Sequence, residues 1–480
     1  MTSRPTIRFT SADQRRFATL SGDVNPIHLD AVASRRVAAG EPIVHGMHLL
    51  LRALEIHFAR KSPPPRVTLE ATFLRPAFLN EPIRVESMAD GTVSVQADGD
   101  VALAVAKIGT GSGQPHPPPA PLELRTRRKP ADARRVPAVR TLADVAGAAG
   151  VIDLPGIASV RRAFPRVTRM LGAHSVAALA GISRLAGMEC PGRDSLLSSL
   201  RVDLRPRARA ERFLWRVARV DRRFGLVRID IWSEGINGTV DAFLRPAPPA
   251  PPSIAAAATR LTATEFAGQR ALIIGGSRGL GAATAMLLAA GGGLPVITYA
   301  AGVDEAVALQ RDAQAASRRL EMLRFDIRHD DAATILQDAA ARFGITHMYY
   351  FATPRIFARR REPFDARLFE RFTAFYVAGF ARVCAALGSA IPALDVFYPS
   401  SAAVEERVSE LTEYAAAKAA GECLCRLLDR PAGGLRILVR RLPRVSTDQT
   451  ASIVSARAID ALDAVLPIVR EMQRRVQASD

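Results

Sequence analysis

Proline does the most to limit what this chain can become. Two low-complexity stretches, GTGSGQPHPPPAPLE at residues 109–123 and RPAPPAPPSIAAAATR at residues 245–260, interrupt it. A proline ring has no N–H to give to a helix or a strand ladder, and Pro-rich runs form extended, solvated connectors. Three domains are therefore expected, over residues 1–110, 124–246 and 262–480, with linkers at 111–123 and 247–261. With 48% hydrophobic and 23% charged residues among 480, each piece can close a core. A disordered or fibrous chain is excluded on that ground.

No apolar run approaches the roughly 20 residues of a membrane helix, and the N-terminus has no apolar stretch before a small-residue cleavage site. No membrane span is expected, and a cytoplasmic location is. Cys190, Cys384, Cys423 and Cys425 lack metal-ligand spacing, so reduced thiols and no metal are expected. The net charge of +18 raises nucleic-acid binding, but all but four of the 65 basic residues are arginines spread through every segment. That pattern fits the codon bias of a GC-rich bacterium. The densest basic stretch, residues 125–140, lies in a Pro-rich connector without interleaved aromatics, so phosphorylated cofactors or an acidic carrier protein are preferred as partners.

The first two pieces share an order. Residues 43–60 (IVHGMHLLLRALEIHFAR) carry apolar side chains at helical spacing after a glycine, and the strand-like VTLEATFLRPAF, EPIRVESMA, TVSVQADG and VALAVAKIG follow. In the second piece a similar helix from Leu171 precedes DSLLSSLRVDLRP, ERFLWRVARVD, GLVRIDIWSEG and GTVDAFLRP. Gly46 aligns with Gly172 and the Leu-Arg-Pro at Leu74 with that at Leu204, which suggests duplication of one α+β unit. The third piece alternates strand and helix, from RALIIGG through LPVITYA, LEMLRFDI, THMYYFA and LDVFYPS to LRILVRRL. Such alternation predicts an α/β domain with a parallel, doubly wound sheet.

Chemistry concentrates at two places. In FATLSGDVNPIHLDAVAS (residues 17–34), Asp23 and His28 flank the turn-forming Asn25-Pro26, so a short rigid turn aims an acid and an imidazole into one pocket. Such a pair suits adding or removing water across a carbon–carbon double bond next to a thioester. The developing enolate oxygen needs a donor, and Gly46, in His45-Gly46-Met47 at the helix start, offers a backbone N–H. The same residues also suit a plain Asx-Pro turn with a capping aspartate. His45, His48, His57 and His174 read as packing or capping residues, and Asp30 as a helix cap.

Phe17, Leu20, Ser21, Gly22, Asp23, Asn25, Pro26, Ile27, His28 and Ser34, followed by His45-Gly46-Met47, resemble the signature of the MaoC-like (R)-specific enoyl-CoA hydratases. The resemblance extends to about residue 110. It implies a hotdog fold, an acyl thioester of CoA or acyl carrier protein as substrate, Asp23 and His28 as the catalytic pair, Asn25 orienting them or the water, and an oxyanion hole at the Gly46 amide. The second piece resembles the fold without the motif, since VIDLPGIASVRRAFPRVTRML contains no Asp-x-Asn-Pro-x-His. It is expected to be catalytically silent, completing a double hotdog and shaping the acyl tunnel.

The second place is Ile274-Gly275-Gly276-Ser277-Arg278-Gly279-Leu280-Gly281, where a strand turns into a helix and glycines let the backbone approach a pyrophosphate. Tyr414 and Lys418 lie four apart on one helix face, where the ammonium can lower the phenol's pKa while contacting a nicotinamide ribose; two ordinary helix residues are the other reading, against which stands the near absence of lysine elsewhere. Ser401, thirteen residues before Tyr414, is placed to hydrogen-bond a substrate carbonyl. These residues resemble the short-chain dehydrogenase/reductase family over about residues 265–470. The resemblance implies a Rossmann domain with Tyr414 as proton donor, Lys418 assisting it, Ser401 polarising the carbonyl, and cofactor contacts from Gly275, Ser277, Arg278, Gly279, Leu280, Gly281 and Asp326. Arg278 suits a 2′-phosphate and the second strand ends in TYAAG with no acid for a 2′-hydroxyl, so NADP(H) is expected over NAD(H).

Departures from that pattern are Phe351-Ala352-Thr353-Pro354 for Asn-Asn-Ala-Gly, Tyr376 for a helix asparagine, and Pro443-Arg444 for Pro-Gly. Cofactor binding is thus better founded than turnover. The leading expectation is a bifunctional, homodimeric bacterial enzyme of fatty-acid, polyketide or lipid-precursor metabolism, pairing a 3-hydroxyacyl dehydratase/enoyl hydratase with an NADPH-dependent 3-ketoacyl reductase. A hydratase whose last domain only binds NADP(H), and a basic binding protein, are the other readings.

Overall fold

The computed structural model describes residues 5–36, 40–58, 66–109, 136–247, 249–329, 331–356, 364–406, 408–430, 434–447 and 458–477. The first Pro-rich linker lies outside them. The chain folds as two compact units that divide at residues 247 and 248, so the first two sequence pieces share one unit. Part of the second stretch read as linker is not extended: Ser253 caps a helix at Ile254–Ala258, and Ile254 and Ala257 are buried in the second unit's core. Its alanines favour helix once the prolines end.

The first unit is one ten-stranded antiparallel sheet. Its strands are β1 (Thr6–Ile7), β2 (Val67–Phe73), β3 (Ile83–Ser87), β4 (Thr92–Ala97), β5 (Val101–Gly109), β6 (Ala149–Asp153), β7 (Ser195–Leu204), β8 (Arg212–Asp221), β9 (Leu226–Trp232) and β10 (Ile236–Leu244). They lie in the order β1-β3-β4-β5-β2-β7-β10-β9-β8-β6. Read outward from the β2–β7 join, both sides repeat one topology. The first strand after the long helix comes first, then the fourth, third and second, with the strand before the helix at the edge. The two long helices, Gly46–His57 and Ala173–Arg184, pack into one shared core.

Alternation decides what faces that core. Across the join Val67, Leu69 and Ala71 sit opposite Leu204, Val202 and Leu200, all buried, while Glu70 opposes Arg201 on the wet face at 3.3 Å. A second tie crosses between the halves. Glu55, buried on helix Gly46–His57, accepts the Val167 N–H at 2.8 Å, satisfying one of the unpaired donors in the first turn of helix Pro165–Leu171.

The second unit is a Rossmann-type parallel sheet of β11 (Arg270–Ile274), β12 (Leu294–Tyr299), β13 (Glu321–Arg324), β14 (His347–Tyr350), β15 (Ala393–Ser401) and β16 (Gly434–Leu442), in the order β13-β12-β11-β14-β15-β16. Both faces are covered. Ala271 and Ile273 meet helices Gly279–Ala290 and Ala461–Gln477, and Leu272 and Ile274 meet Phe380–Gly388 and Thr412–Leu428. That is why β11 reads as an unbroken apolar run. Strand order reverses between β11 and β14, where the carboxyl ends leave a crevice. Among the described residues no helix is long and apolar enough to cross a membrane.

Gly172 closes one helix and opens the next at φ +78°, and a β-carbon there would lie 2.0 Å from the Pro206 carbonyl oxygen. Gly172→Ala is expected to destabilise the first unit by about 2 kcal/mol or more, read as a lower urea midpoint at unchanged slope. An unaltered midpoint would mean that this backbone shifts freely.

Two candidate active sites

The first site is built on a turn. Helix Ser11–Ser21 opens with a capping box between Thr10 and Asp13 and closes at Gly22, whose φ of +77° swings the chain toward Asp23. Asn25 then caps the single turn Pro26–Leu29, accepting the Ile27 N–H, with Pro26 at the first helical position. Asp23, Asn25, His28 and Gly46 all line one cavity of about 200 Å³. Gly46 opens its helix, so its N–H has no intrahelical acceptor.

Asp23 is 2% exposed, and its Oδ2 lies 4.0 Å from His28 Nε2. His28 Nδ1 donates to the Ile43 carbonyl at 2.8 Å, which leaves Nε2 as the lone-pair nitrogen of the neutral ring. Burial pushes the Asp23 pKa up and the His28 pKa down, each opposed by the other's charge. Two acceptors at this separation are too far apart to bond directly, yet one water about 2.8 Å from each can donate to both.

Several groups that the sequence did not reveal complete the site. Ser183, on helix Ala173–Arg184, donates to Asp23 Oδ2 at 2.7 Å. Gly187, in the π-helical turn Leu185–Glu189, lies so close that a β-carbon there would be 2.4 Å from Asp23 Oδ1. Asn25 Nδ2 donates to the carbonyls of Gly187 and Arg193 at 2.9 and 3.0 Å. All three come from the half expected to be silent, and nothing local in the sequence marks them.

His45, read as a packing residue, also belongs to the site. It is fully buried, its ring stacks on His28 with centroids 3.8 Å apart, and its Nδ1 and Nε2 face Gln14 Oε1 at 2.7 Å and the Asp23 carbonyl at 3.1 Å. Those oxygens favour a proton on each nitrogen, but burial, reinforced by His28, holds the pKa well below the usual histidine range. Asp23, His28 and His45 offer donor atoms within 4.8 Å of one another. The two rings are only 26° from parallel, so their lone pairs run side by side rather than converging on one ion.

The second site gathers at the carboxyl ends of β11, β14 and β15. Gly275 has φ +80°, and a β-carbon there would lie 2.9 Å from Ala352 N; one at Gly281 would lie 2.3 Å from the Gly275 carbonyl oxygen. Helix Gly279–Ala290 therefore starts hard against the turn, with Ser277 and Arg278 before it and Gly279, Leu280 and Gly281 in its first turn. The N–H groups of its first turn have no intrahelical acceptor, the feature a pyrophosphate site requires.

The structure brings Ser401, Tyr414 and Lys418 together, with the Lys418 ammonium 5.9 Å from the Tyr414 ring centroid. Burial pushes the Tyr414 pKa up, against the expectation that the ammonium lowers it, and the hydrogen bond with Ser401 offsets part of that push. Lys418, 6% exposed, donates to the Pro399 carbonyl at 2.6 Å and sits 3.9 Å from the centroid of the Tyr376 ring. Burial pushes its pKa down to about 7. Tyr376 is itself buried, and its hydroxyl lies 2.5 Å from Thr353 Oγ1.

Asp326 is ion-paired: Arg328 grips its carboxylate through Nε at 2.9 Å and Nη2 at 2.6 Å, holding its pKa below the usual range, so an adenine would share it with that arginine. The expectation that changes is the lack of an acid after the second strand. An acid does stand beside the end of β12. Helix Val303–Ala315 starts at once after Gly302 and brings Glu305 back over it, so a β-carbon at Gly302 would lie 2.3 Å from Glu305 Oε2 and 3.5 Å from Ser277 Oγ.

Family models agree with this division. One for a MaoC like domain matches residues 1–109, and one for short chain dehydrogenase matches residues 269–457. The chain joins a MaoC-like dehydratase domain to a short-chain dehydrogenase domain. No curated protein matches it. Similar solved structures include a short-chain dehydrogenase/reductase from Serratia marcescens at 19% identity, covering 44% of this chain and 91% of that one with a TM-score of 0.39. A short chain dehydrogenase from Burkholderia cenocepacia in complex with NADP is 22% identical, covering 43% and 91% with a TM-score of 0.38. A dehydrogenase/reductase from Sinorhizobium meliloti is 21% identical, covering 44% and 90% with a TM-score of 0.38.

In the dehydrogenase domain Lys418 works against folding. Between its folded pKa of about 7 and the ordinary value of 10.5, the unfolded chain binds the extra proton, so the penalty is full below pH 7 and fades as pH rises toward 10.5. Lys418→Met is expected to stabilise the domain by on the order of 2–3 kcal/mol at pH 6 in urea denaturation, with the gain shrinking as pH rises. A pH-independent change would mean that the ammonium is fully satisfied in the fold.

Proposed function

We propose that the chain is a bifunctional acyl-thioester enzyme. The first unit, a double hotdog by its repeated strand order, interconverts (R)-3-hydroxyacyl and trans-2-enoyl thioesters of CoA or a carrier protein. The second unit reduces 3-ketoacyl thioesters with NADP(H). The observation that carries the reading is the pair of acceptors, Asp23 Oδ2 and His28 Nε2, 4.0 Å apart on a cavity that also holds Gly46. A water held by both its protons presents its oxygen to the β-carbon. As the C–O bond forms, one water proton passes to one of the pair and is returned to the α-carbon, while the Gly46 N–H meets the charge on the thioester oxygen. Dehydration runs the same steps in reverse.

In the second unit Ser401 and Tyr414 would meet the substrate carbonyl, with Tyr414 giving its proton to the developing alkoxide; a nicotinamide held by the glycine turn would supply the hydride. Arg278 in the glycine turn favours NADP(H). Glu305, beside Gly302 at the end of β12, is the observation for NAD(H) instead. The competing reading, a hydratase whose second unit binds the cofactor without turnover, is favoured by Tyr376 covering Lys418.

Asp23→Asn is expected to lower crotonyl-CoA hydration by about 100-fold or more while leaving NADPH oxidation with acetoacetyl-CoA unchanged, and Tyr414→Phe to do the reverse. Hydration surviving in Asp23→Asn sinks the first assignment. Cofactor that binds but is never oxidised across a range of acyl chains selects the binding-only reading, and a kcat/KM higher for NADH than for NADPH selects Glu305 over Arg278.

A further inference from the structure

We propose that the second half of the first unit, which lacks the motif, supplies a positioning residue for hydration: Ser183, whose hydroxyl fixes the Asp23 carboxylate oxygen that faces the water. This rests on the reading of Asp23 and His28 as the water-holding pair.

Three contacts converge on it. A carboxylate removed from water needs donors, and the donors to Asp23 are the Asn25 N–H, at 3.2 Å from Oδ1, and the Ser183 hydroxyl, at 2.7 Å from Oδ2. The shorter one comes from the other half, and it goes to the same oxygen that faces His28. Ser183 follows an unbroken apolar run from Val176 to Ile182, so a hydroxyl at this point is not a helix surface residue. Gly187, one turn on, leaves the carboxylate the space that any side chain would fill, and the Asn25 amide is clamped to the Gly187 and Arg193 carbonyls. The loop bearing Asp23 is thus seated against the second half at both ends.

The other charged or titratable groups near Asp23 are His28 and His45 from its own half and, from the second half, Arg184, packed on Gly22 and paired with Glu189 at 3.6 Å; Arg245 acts on His28. None of them donates to Oδ2 within hydrogen-bond distance as Ser183 does. The Ser183 hydroxyl favours the ionised carboxylate against the opposing effect of burial. Removing it moves the acid limb of the hydration profile to higher pH.

In the full chain, Ser183→Ala is expected to lower kcat for crotonyl-CoA hydration by about 10- to 100-fold at nearly constant KM, with the acid limb of kcat/KM shifted upward. Ser183→Thr, which keeps a hydroxyl, restores most of the rate and the original limb. Wild-type kcat and pH limb in Ser183→Ala, alongside an inactive Asp23→Asn, overturn the role of Ser183 while leaving the catalytic pair standing. A loss in Ser183→Ala that is uniform with pH and not rescued by Thr marks a packing role and overturns it equally. If Asp23→Asn is itself active, the hydration reading fails and this proposal fails with it.

Discussion

The first unit depends on the free edge of β2. One side of that strand pairs with β5, and the other would present a row of unpaired N–H and C=O groups, which sheets do not leave open without consequence. β7 fills it through six residue pairs, from Val67 with Leu204 to Thr72 with Ser199. Slipping the register by one residue would turn Val67, Leu69 and Ala71 outward and drive Glu70 into the core, so the apolar side admits one alignment only. With it set, the helices that precede β2 and β7 share a core, and the end of the second helix arrives over the turn that holds Asp23. A carboxylate and a hydroxyl 160 residues apart meet because two strands needed partners.

Both sites then place a charge where folding alone would not. Glu422 shows how a structural carboxylate is treated: Arg441 grips it through Nε and Nη2 at 2.7 and 2.6 Å, Ser400 donates to it, and its pKa falls. Asp23 and Lys418 receive no such cationic or anionic fork, and burial moves each toward its neutral form. A buried group left responsive to protons is a stability cost, and the two groups occur one in each candidate site. Lysine is almost absent from this chain, which sharpens the point for Lys418.

What was legible in the sequence was whatever chemistry lies within a few residues. Asp23 to His28 is one turn, Tyr414 and Lys418 are one helical step apart, and strand–helix alternation prescribes a parallel sheet. The Asp326–Arg328 pair is also local, and an acid two residues before an arginine was a signal available to reading. Ser183, Gly187 and His45 were different. A serine after an apolar helix, a glycine in a π-helical turn and a histidine before a helix each have an ordinary local explanation; the β2–β7 pairing and the shared core bring the first two to the carboxylate, and the packing of the first half brings His45. Glu305 was missed because it lies in the helix after β12 rather than at the strand's end, and only the fold brings it back beside Gly302.

Under the proposed reduction, the departure at Tyr376 bears on how a proton could reach Tyr414. A ring face attracts the Lys418 ammonium but cannot carry a proton, and the Tyr376 hydroxyl at its far end leads only to Thr353. Thr353 donates in turn to the Pro354 carbonyl at 3.0 Å, where the chain of hydroxyls stops. Resupply along this path is closed by its own hydrogen bonding. The ionisable group left beside the Tyr414 ring is Lys418, 5.9 Å from its centroid and with its pKa brought by burial to about 7, so in the proposed reduction a proton it hands on has to be replaced from solvent. If the second unit turns over as proposed, it would depend on this one buried lysine, and Tyr376 is part of the wall that buries it.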